Sequence, residues 1–271
     1  MKQIVISLYD YTGEALGPWA EAGYDCYAYD IQHKHETIEF RYNTEHFASG
    51  GEIHYLHADL HEFSTHQDLF FQFNGQKVCF AMAFPVCTDL AVSGAAHFAK
   101  KAEADPLFQE RAAQHAIDCA DLFDDLGCPY FIENPVSVLA TKWRKPDYSF
   151  HPYEYGGYIP YGEEQHPTWP DFIAPRDAYP KKTCLWTGNG FKMPNKVAVE
   201  PESGHSRQHL KLGGKSAKTK NIRSATPRGF ARAVMLANTT DGPSVTNLKE
   251  NTNGNQDRSR QAVQDTDPLV S

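Results

Sequence analysis

Two side chains in this sequence stand where they could do chemistry together. Val78 to Phe84 (VCFAMAF) is a continuous apolar run of the kind that forms a buried central strand. FPVCTDLAVSG follows and places Cys87 just past the end of that strand. A second strand-like run, Tyr130 to Glu133, leads into IENP and brings the carboxylate of Glu133 to another strand end. The carboxyl ends of parallel strands line the ligand crevice of an α/β protein, so a thiol and a carboxylate placed this way can meet in one site. A thiolate is a nucleophile and a carboxylate is its hydrogen-bonding or proton-handling partner, which together allow covalent catalysis. Taken singly, each has a blander reading, the cysteine as a packing residue and the glutamate as a turn carboxylate.

The elements that would have to position this pair can be followed from the start of the chain. Ile4 to Tyr9 (IVISLY) reads as a strand, DYTGEALG as a turn with two glycines, and PWAEAGY as the start of a helix. Asp25 to Ile31 is strand-like again and carries Asp30 about 20 residues after the glycine turn, the layout of a nucleotide-binding βαβ unit. Ile53 to His57 leads to Asp59, and the segment from about Asp105 to Leu126 has helical spacing. This alternation predicts an α/β fold with a mostly parallel sheet and helices on both faces. From Lys142 to Pro180 the sequence is rich in proline and aromatics and reads as irregular. Thr183 to Trp186 reads as a strand, and Thr226 to Ala237 as a helix with Thr226 as cap and Pro227 in its first position.

In chain order, DYTGEALGPW, Asp30, Asp59, PVCT, ENP and TPRGFARA resemble the ordered motifs of the DNA (cytosine-5) methyltransferases, and most closely those of small phage-type members. The resemblance spans roughly residues 4 to 238, with PVCT and ENP its diagnostic pieces. It implies a Rossmann-like S-adenosylmethionine-dependent methyltransferase fold over residues 1–238, with a short recognition region at about 144–224, and S-adenosyl-L-methionine as cofactor. By the same resemblance, Cys87 would attack carbon 6 of a flipped-out cytosine in DNA while Glu133 holds N3 and the amino group. Asp10, Gly13 and Gly17 would form the turn beneath the methionine part of the donor, Asp30 would take the ribose hydroxyls, Asp59 the adenine amino group, and Pro85 would close the cofactor side. Asn134, Pro135, Lys181, Lys182, Arg223 and Arg228 would serve the substrate. The family's Gln-x-Arg-x-Arg element has no counterpart here, which makes Lys181, Lys182 or Arg144 the candidate cation beside the base.

Composition bounds the alternatives. With 271 residues, 41% hydrophobic and 13% aromatic, the chain can bury one sizeable core. The formal net charge of -8 argues against indiscriminate binding to nucleic acid, yet Ser203 to Thr240 holds no Asp or Glu and eight Lys or Arg. That block reads either as a DNA-facing surface or as a solvated loop. The six cysteines include no CxxC pair and the histidines (His54, His57, His61 and His66 among them) no HExxH, so neither metal nor disulfides are expected. No run is apolar enough to span a bilayer, so no membrane partner and cytoplasmic residence are expected. The polar tail from Thr239 to Ser271 is expected to be disordered. Two other functions fit the same motifs: a pyrimidine carbon-5 enzyme with another donor or a nucleotide substrate, and an inactive DNA-binding relative.

Overall fold

Short apolar strands alternate with helices and assemble one mixed eight-stranded sheet in the computed structural model, which describes residues 2–34, 43–214 and 216–239. The strands are β1 Ile4–Leu8, β2 Asp25–Asp30, β3 Asn43–His46, β4 Glu52–His57, β5 Val78–Ala83, β6 Tyr130–Pro135, β7 Tyr148–Phe150 and β8 Thr183–Gly188. They lie in the order β3-β4-β2-β1-β5-β6-β8-β7. The middle five, from β4 to β6, run parallel, while β3 and β8 are antiparallel to their neighbours β4 and β6, and β7 pairs antiparallel with β8. The parallel core therefore matches the expectation, and the sheet's flanks are antiparallel.

Among the described residues, eight α-helices connect or cover these strands: α1 Gly17–Glu21, α2 Phe63–Phe73, α3 Phe98–Ala104, α4 Phe108–Asp125, α5 Leu139–Lys142, α6 Arg207–Lys211, α7 Ala217–Ser224 and α8 Arg228–Asn238. Side chains alternate across a strand, so β1 sends Ile4, Ile6 and Leu8 to one core and Val5 to the other. The first core is closed by α4, whose Ala112, Ala116, Cys119, Ala120 and Phe123 repeat at helical spacing. The second is closed by α1 and α8. Trp19 of α1 is 1% exposed and stacks on Phe80 of β5, with ring centroids 4.9 Å apart. Phe230 of α8 stacks on Phe150 of β7 at 3.9 Å. Burying an aromatic side chain of this size contributes about 2–3 kcal/mol, which is how two short helices are held against the sheet. A third, smaller cluster of Ile173, Ala174, Tyr179, Leu212, Ile222 and Ala225 joins α6 and α7 to the loop before β8.

The segment read as irregular contains short β7 and two 3-10 helices, Pro152–Tyr158 and Pro175–Asp177. The compact unit ends at Asn238, and the tail expected to be disordered lies outside the described residues but for Thr239. Among the described residues no helix is long and apolar enough to cross a membrane.

Candidate active site

Parallel β1 is hydrogen-bonded to β2 on one side and β5 on the other, so the chain winds outward in both directions from it. The loops leaving the carboxyl ends of β1 and β5 diverge at this point, which is where open α/β sheets bind ligands. Asp10, Asp30, Asp59, Cys87 and Glu133 all come from the carboxyl ends of the five parallel strands or the loops that follow them, and so lie along one edge of the sheet.

The turn after β1 is built around Asp10. Its Oδ1 accepts from the Gly13 backbone N–H at 2.8 Å and its Oδ2 from the Ser7 hydroxyl at 2.7 Å. Burial pushes this carboxyl up and those hydrogen bonds pull it back, so Asp10 shapes the turn with its own side chain already engaged. Gly13 has φ +68°, and a Cβ there would stand 2.5 Å from the Tyr55 hydroxyl, so the position requires glycine. Gly17, by contrast, begins α1 with open space around its Cα hydrogens. At the end of β2, Asp30 Oδ1 accepts from Gln32 N at 2.8 Å and Gln32 Nε2 at 3.2 Å. After β4, Asp59 Oδ1 accepts from His61 N at 3.1 Å, and the carboxylate is half exposed.

Cys87 and Glu133 are brought together by stitching between the loops after β5 and β6. The Asn134 amide, 0% exposed, donates to the Pro85 carbonyl at 3.1 Å. Val92 N donates to Val136 O at 3.1 Å, and Val138 N to Leu90 O at 2.9 Å. Asn134 and Pro85 thus hold the two loops in register. The Cys87 carbonyl accepts from Leu90 N and Ala91 N, which fixes the backbone that carries the thiol. Burial pushes the Cys87 thiol above its usual range, the Glu133 carboxylate pushes it the same way, and Lys181 opposes both. Burial likewise raises the Glu133 carboxyl, again opposed by Lys181.

Lys181 reaches this pair because β8 runs antiparallel to β6. Thr183, the first residue of β8, pairs with Pro135, the last of β6, so the residues preceding β8 arrive at the same sheet edge. Glu133, Lys181 and Thr183 line a shallow recess together with Phe84, Phe150, Phe230 and the segment from Ser224 to Pro227. Three aromatic rings, one carboxylate and one ammonium supply its lining. The aromatic lining and Thr226 were not read from the sequence as site residues, although TPRGFARA contains Thr226 and Phe230.

The other expected substrate residues are placed differently. Lys182 is exposed beside Cys184. The Arg223 guanidinium donates to Leu212 O at 2.7 Å, and Arg228 donates to the carbonyls of Glu163 and Gln165 at 3.0 Å each. Arg144 pairs with Asp147 and donates to Thr187 O, which leaves Lys181 as the cation in the recess. One trio, Asp25, Glu52 and His54, has metal-compatible spacing among the described residues. It sits at the amino ends of β2 and β4, away from the site edge, where Lys2 already pairs with Asp25 and His46 with Glu52.

A buried polar cluster beside the glycine turn escaped the sequence reading. His166, 3% exposed, accepts at Nδ1 from Thr168 N and Trp169 N, and its Nε2 lies 3.5 Å from Glu14 Oε1. Burial, with Arg228 opposing, raises Glu14 from 4.5 to about 7. A carboxyl raised by folding contributes its stability below its unfolded pKa and loses it as pH rises through the folded value. A displacement from 4.5 to about 7 corresponds to about 3 kcal/mol. Glu14→Gln is therefore expected to gain about 3 kcal/mol on the wild type between about pH 4 and pH 8 in urea unfolding. A stability difference independent of pH would show that Glu14 titrates normally.

No family model and no curated protein sequence matches the chain. Among solved structures, one similar chain is a proposed DNA modification methyltransferase encoded within a prophage of E. coli, 14% identical with a TM-score of 0.38. The similarity covers 79% of this chain and 49% of that one, so this chain spans about half the length of that structure.

Proposed function

We propose that the chain is a methyltransferase of Rossmann-like fold that transfers a methyl group from S-adenosyl-L-methionine to carbon 5 of cytosine in DNA. The observation that carries this reading is the placing of Glu133 and Lys181 in one aromatic-lined recess at the carboxyl edge of the sheet, with Cys87 on the loop after β5 that is stitched to the loop after β6. Carbon 5 of cytosine is a poor nucleophile until something adds across the 5,6 double bond. Cys87 Sγ forms a bond to carbon 6, and the electron pair of the double bond becomes available at carbon 5. Glu133 holds N3 and the amino group and stabilises the enamine, while Lys181 faces the ring carbonyl. Carbon 5 would then take the donor's methyl group as that group's bond to sulfur breaks, after which loss of the carbon 5 proton to water and departure of the Cys87 thiolate would restore the double bond. A cytosine stacked in a duplex cannot reach this recess, so the target base is flipped out or presented single-stranded.

The edge also suits the donor, which when bound supplies an electrophilic methyl group and leaves as a thioether. Asp30 is 8% exposed and its Oδ2 has no partner among the described residues, which fits a ligand hydroxyl pair at a strand end. Gly13 lets the backbone approach closely, and the half-exposed Asp59 suits an amino group.

The test is incubation with tritiated S-adenosylmethionine and mixed-sequence DNA, followed by digestion to nucleosides. Label is expected in 5-methylcytosine. Label in another nucleoside would overturn the Cys87 mechanism, and absence of label with DNA binding intact would make the chain a binding protein.

A further inference from the structure

We infer that the sheet face shared by β2, β3 and β4, at their end remote from the candidate active site, binds one divalent transition ion of the zinc type through His54 Nε2 and one carboxylate oxygen each from Glu52 and Asp25. The site stands independently of the reaction proposed above. Its three residues come from registered positions of paired strands. Asp25 lies opposite Glu52 in the parallel pairing of β2 with β4, and His54, two residues after Glu52, projects from the same face. Across the antiparallel pairing of β3 with β4, His46 stands opposite Glu52 and Thr44 opposite His54. Donors gathered across strands leave no local spacing of the kind that marks a metal site in a sequence.

His54 has the features of a prepared nitrogen ligand. Its Nδ1 lies 3.1 Å from the Thr44 hydroxyl oxygen, and when that nitrogen carries the proton and donates, the lone pair belongs to Nε2. The Tyr27 ring packs against the imidazole with centroids 4.8 Å apart and limits its rotation. Nε2 faces Glu52 Oε2 at 3.5 Å, beyond the roughly 2.7–3.2 Å of an N–H···O hydrogen bond. Two atoms bonded to one tetrahedral zinc at about 2.0–2.1 Å stand roughly 3.3 Å apart, so this separation suits a shared ion. The other oxygen of Glu52, Oε1, is 3.0 Å from His46 Nδ1, which orients the carboxylate. All three ligand atoms lie within 4.8 Å of one another, and closing them on an ion takes at most about 1.5 Å of side-chain movement. Electrostatics favour that closure. Two carboxylates directly opposite on neighbouring strands repel, and Lys2 offsets them from one side only, donating from Nζ to Asp25 Oδ1 at 2.9 Å. Lys2 is half exposed, and a solvated ion pair of this kind yields to a doubly charged ion. The imidazole favours a transition ion over Mg²⁺ or Ca²⁺, which take oxygen ligands. Because β3 is the edge strand, an ion here fastens β2 to β4 directly and β3 to both through Thr44 and His46.

The experiment is thermal unfolding of the full chain, freed of metal by a chelator and then titrated with Zn²⁺, beside calorimetry for affinity and stoichiometry. One ion is expected to bind at this site, and at about 100 times the dissociation constant the unfolding midpoint should rise by roughly 5–10 °C. His54→Gln and Glu52→Gln should each lose that rise, and Thr44→Val should weaken binding by about 10- to 100-fold. Glu52→Gln removes one of two facing carboxylates, so its metal-free midpoint should stay close to the wild type's, which keeps the comparison sound even where His54→Gln folds poorly. Mg²⁺ at the same concentration should leave the wild-type midpoint where it was. Absence of a rise with Zn²⁺, or a rise of equal size in Glu52→Gln, would overturn the site. Loss of the rise in His61→Gln, with Glu52→Gln unaffected, would assign the ion to the His61–His115 pair, whose ring centroids are 4.4 Å apart, and would overturn it as well.

Discussion

Cys87→Ser is expected to abolish methyl transfer, by at least about 10³-fold, while leaving donor binding within about twofold. The substitution is nearly isosteric, and the loop is held by the Cys87 carbonyl, which serine retains. What changes is the nucleophile, since a serine hydroxyl is far less acidic and less nucleophilic than a cysteine thiol. The thiol itself starts from an unfavourable position, because burial and Glu133 both raise it. Alkylation of the free enzyme by iodoacetamide should therefore be slow near neutral pH and still be rising beyond about pH 9. Under the proposed mechanism, transfer at neutral pH depends on the bound base to engage Glu133 and lift its effect on the thiol. Single-turnover transfer with the Cys87→Ser variant, beside donor binding by calorimetry, checks the first expectation; retained activity would sink the covalent mechanism.

The parallel core of the fold was legible because its strands are short, apolar and separated by recognisable turns. β1, β2, β5 and β6 lie within one or two residues of where the sequence places them. α2 was not legible, since its buried residues His66, Leu69 and Phe73 keep helical spacing while Phe63 and Phe71 stand exposed and blur the stripe. β3 (NTEH) carries no apolar residue and pairs with the nearby β4, and β7 is three residues long and owes its existence to antiparallel pairing with the distant β8, which no local pattern announces. α6 and α7 are short and polar, and their two serine caps were the readable signal.

The site was legible in its parts more than in its assembly. Strand ends announced Cys87 and Glu133, since a reactive group after a buried strand has one sheet edge to go to. The partner cation was readable only as three candidates, because the choice of Lys181 over Lys182 and Arg144 depends on β8 running antiparallel to β6. Asn134 illustrates the converse. The resemblance makes it a substrate residue, and in the fold its amide also holds the Pro85 carbonyl, which ties the loop after β5 to β6. Arg228, counted as a substrate residue from the basic block, is turned toward the carbonyls of Glu163 and Gln165 by the docking of α8. Charge along a sequence does not show which charges the fold spends on itself.

Glu133→Gln is expected to move two readouts in opposite directions. Methyl transfer should fall by about 10²- to 10⁴-fold, because the amide keeps the shape of the carboxylate but neither its charge nor its proton-handling. Thiol reactivity should rise in the same variant, since the carboxylate that helps hold the Cys87 thiol high is gone while Lys181 remains. The stability of the variant follows from the same burial. Folding raises the Glu133 carboxyl, so the wild type holds that contribution below the unfolded pKa and loses it as pH rises through the folded value. Glu133→Gln should accordingly be no less stable than the wild type at acidic pH and more stable at alkaline pH. A general loss of structure would lower transfer and leave no reason for faster alkylation at a defined cysteine. Mass-spectrometric alkylation rates at Cys87, measured beside single-turnover transfer, separate the two causes: slower or unchanged alkylation in Glu133→Gln would mean that the carboxylate and the thiol do not share a field.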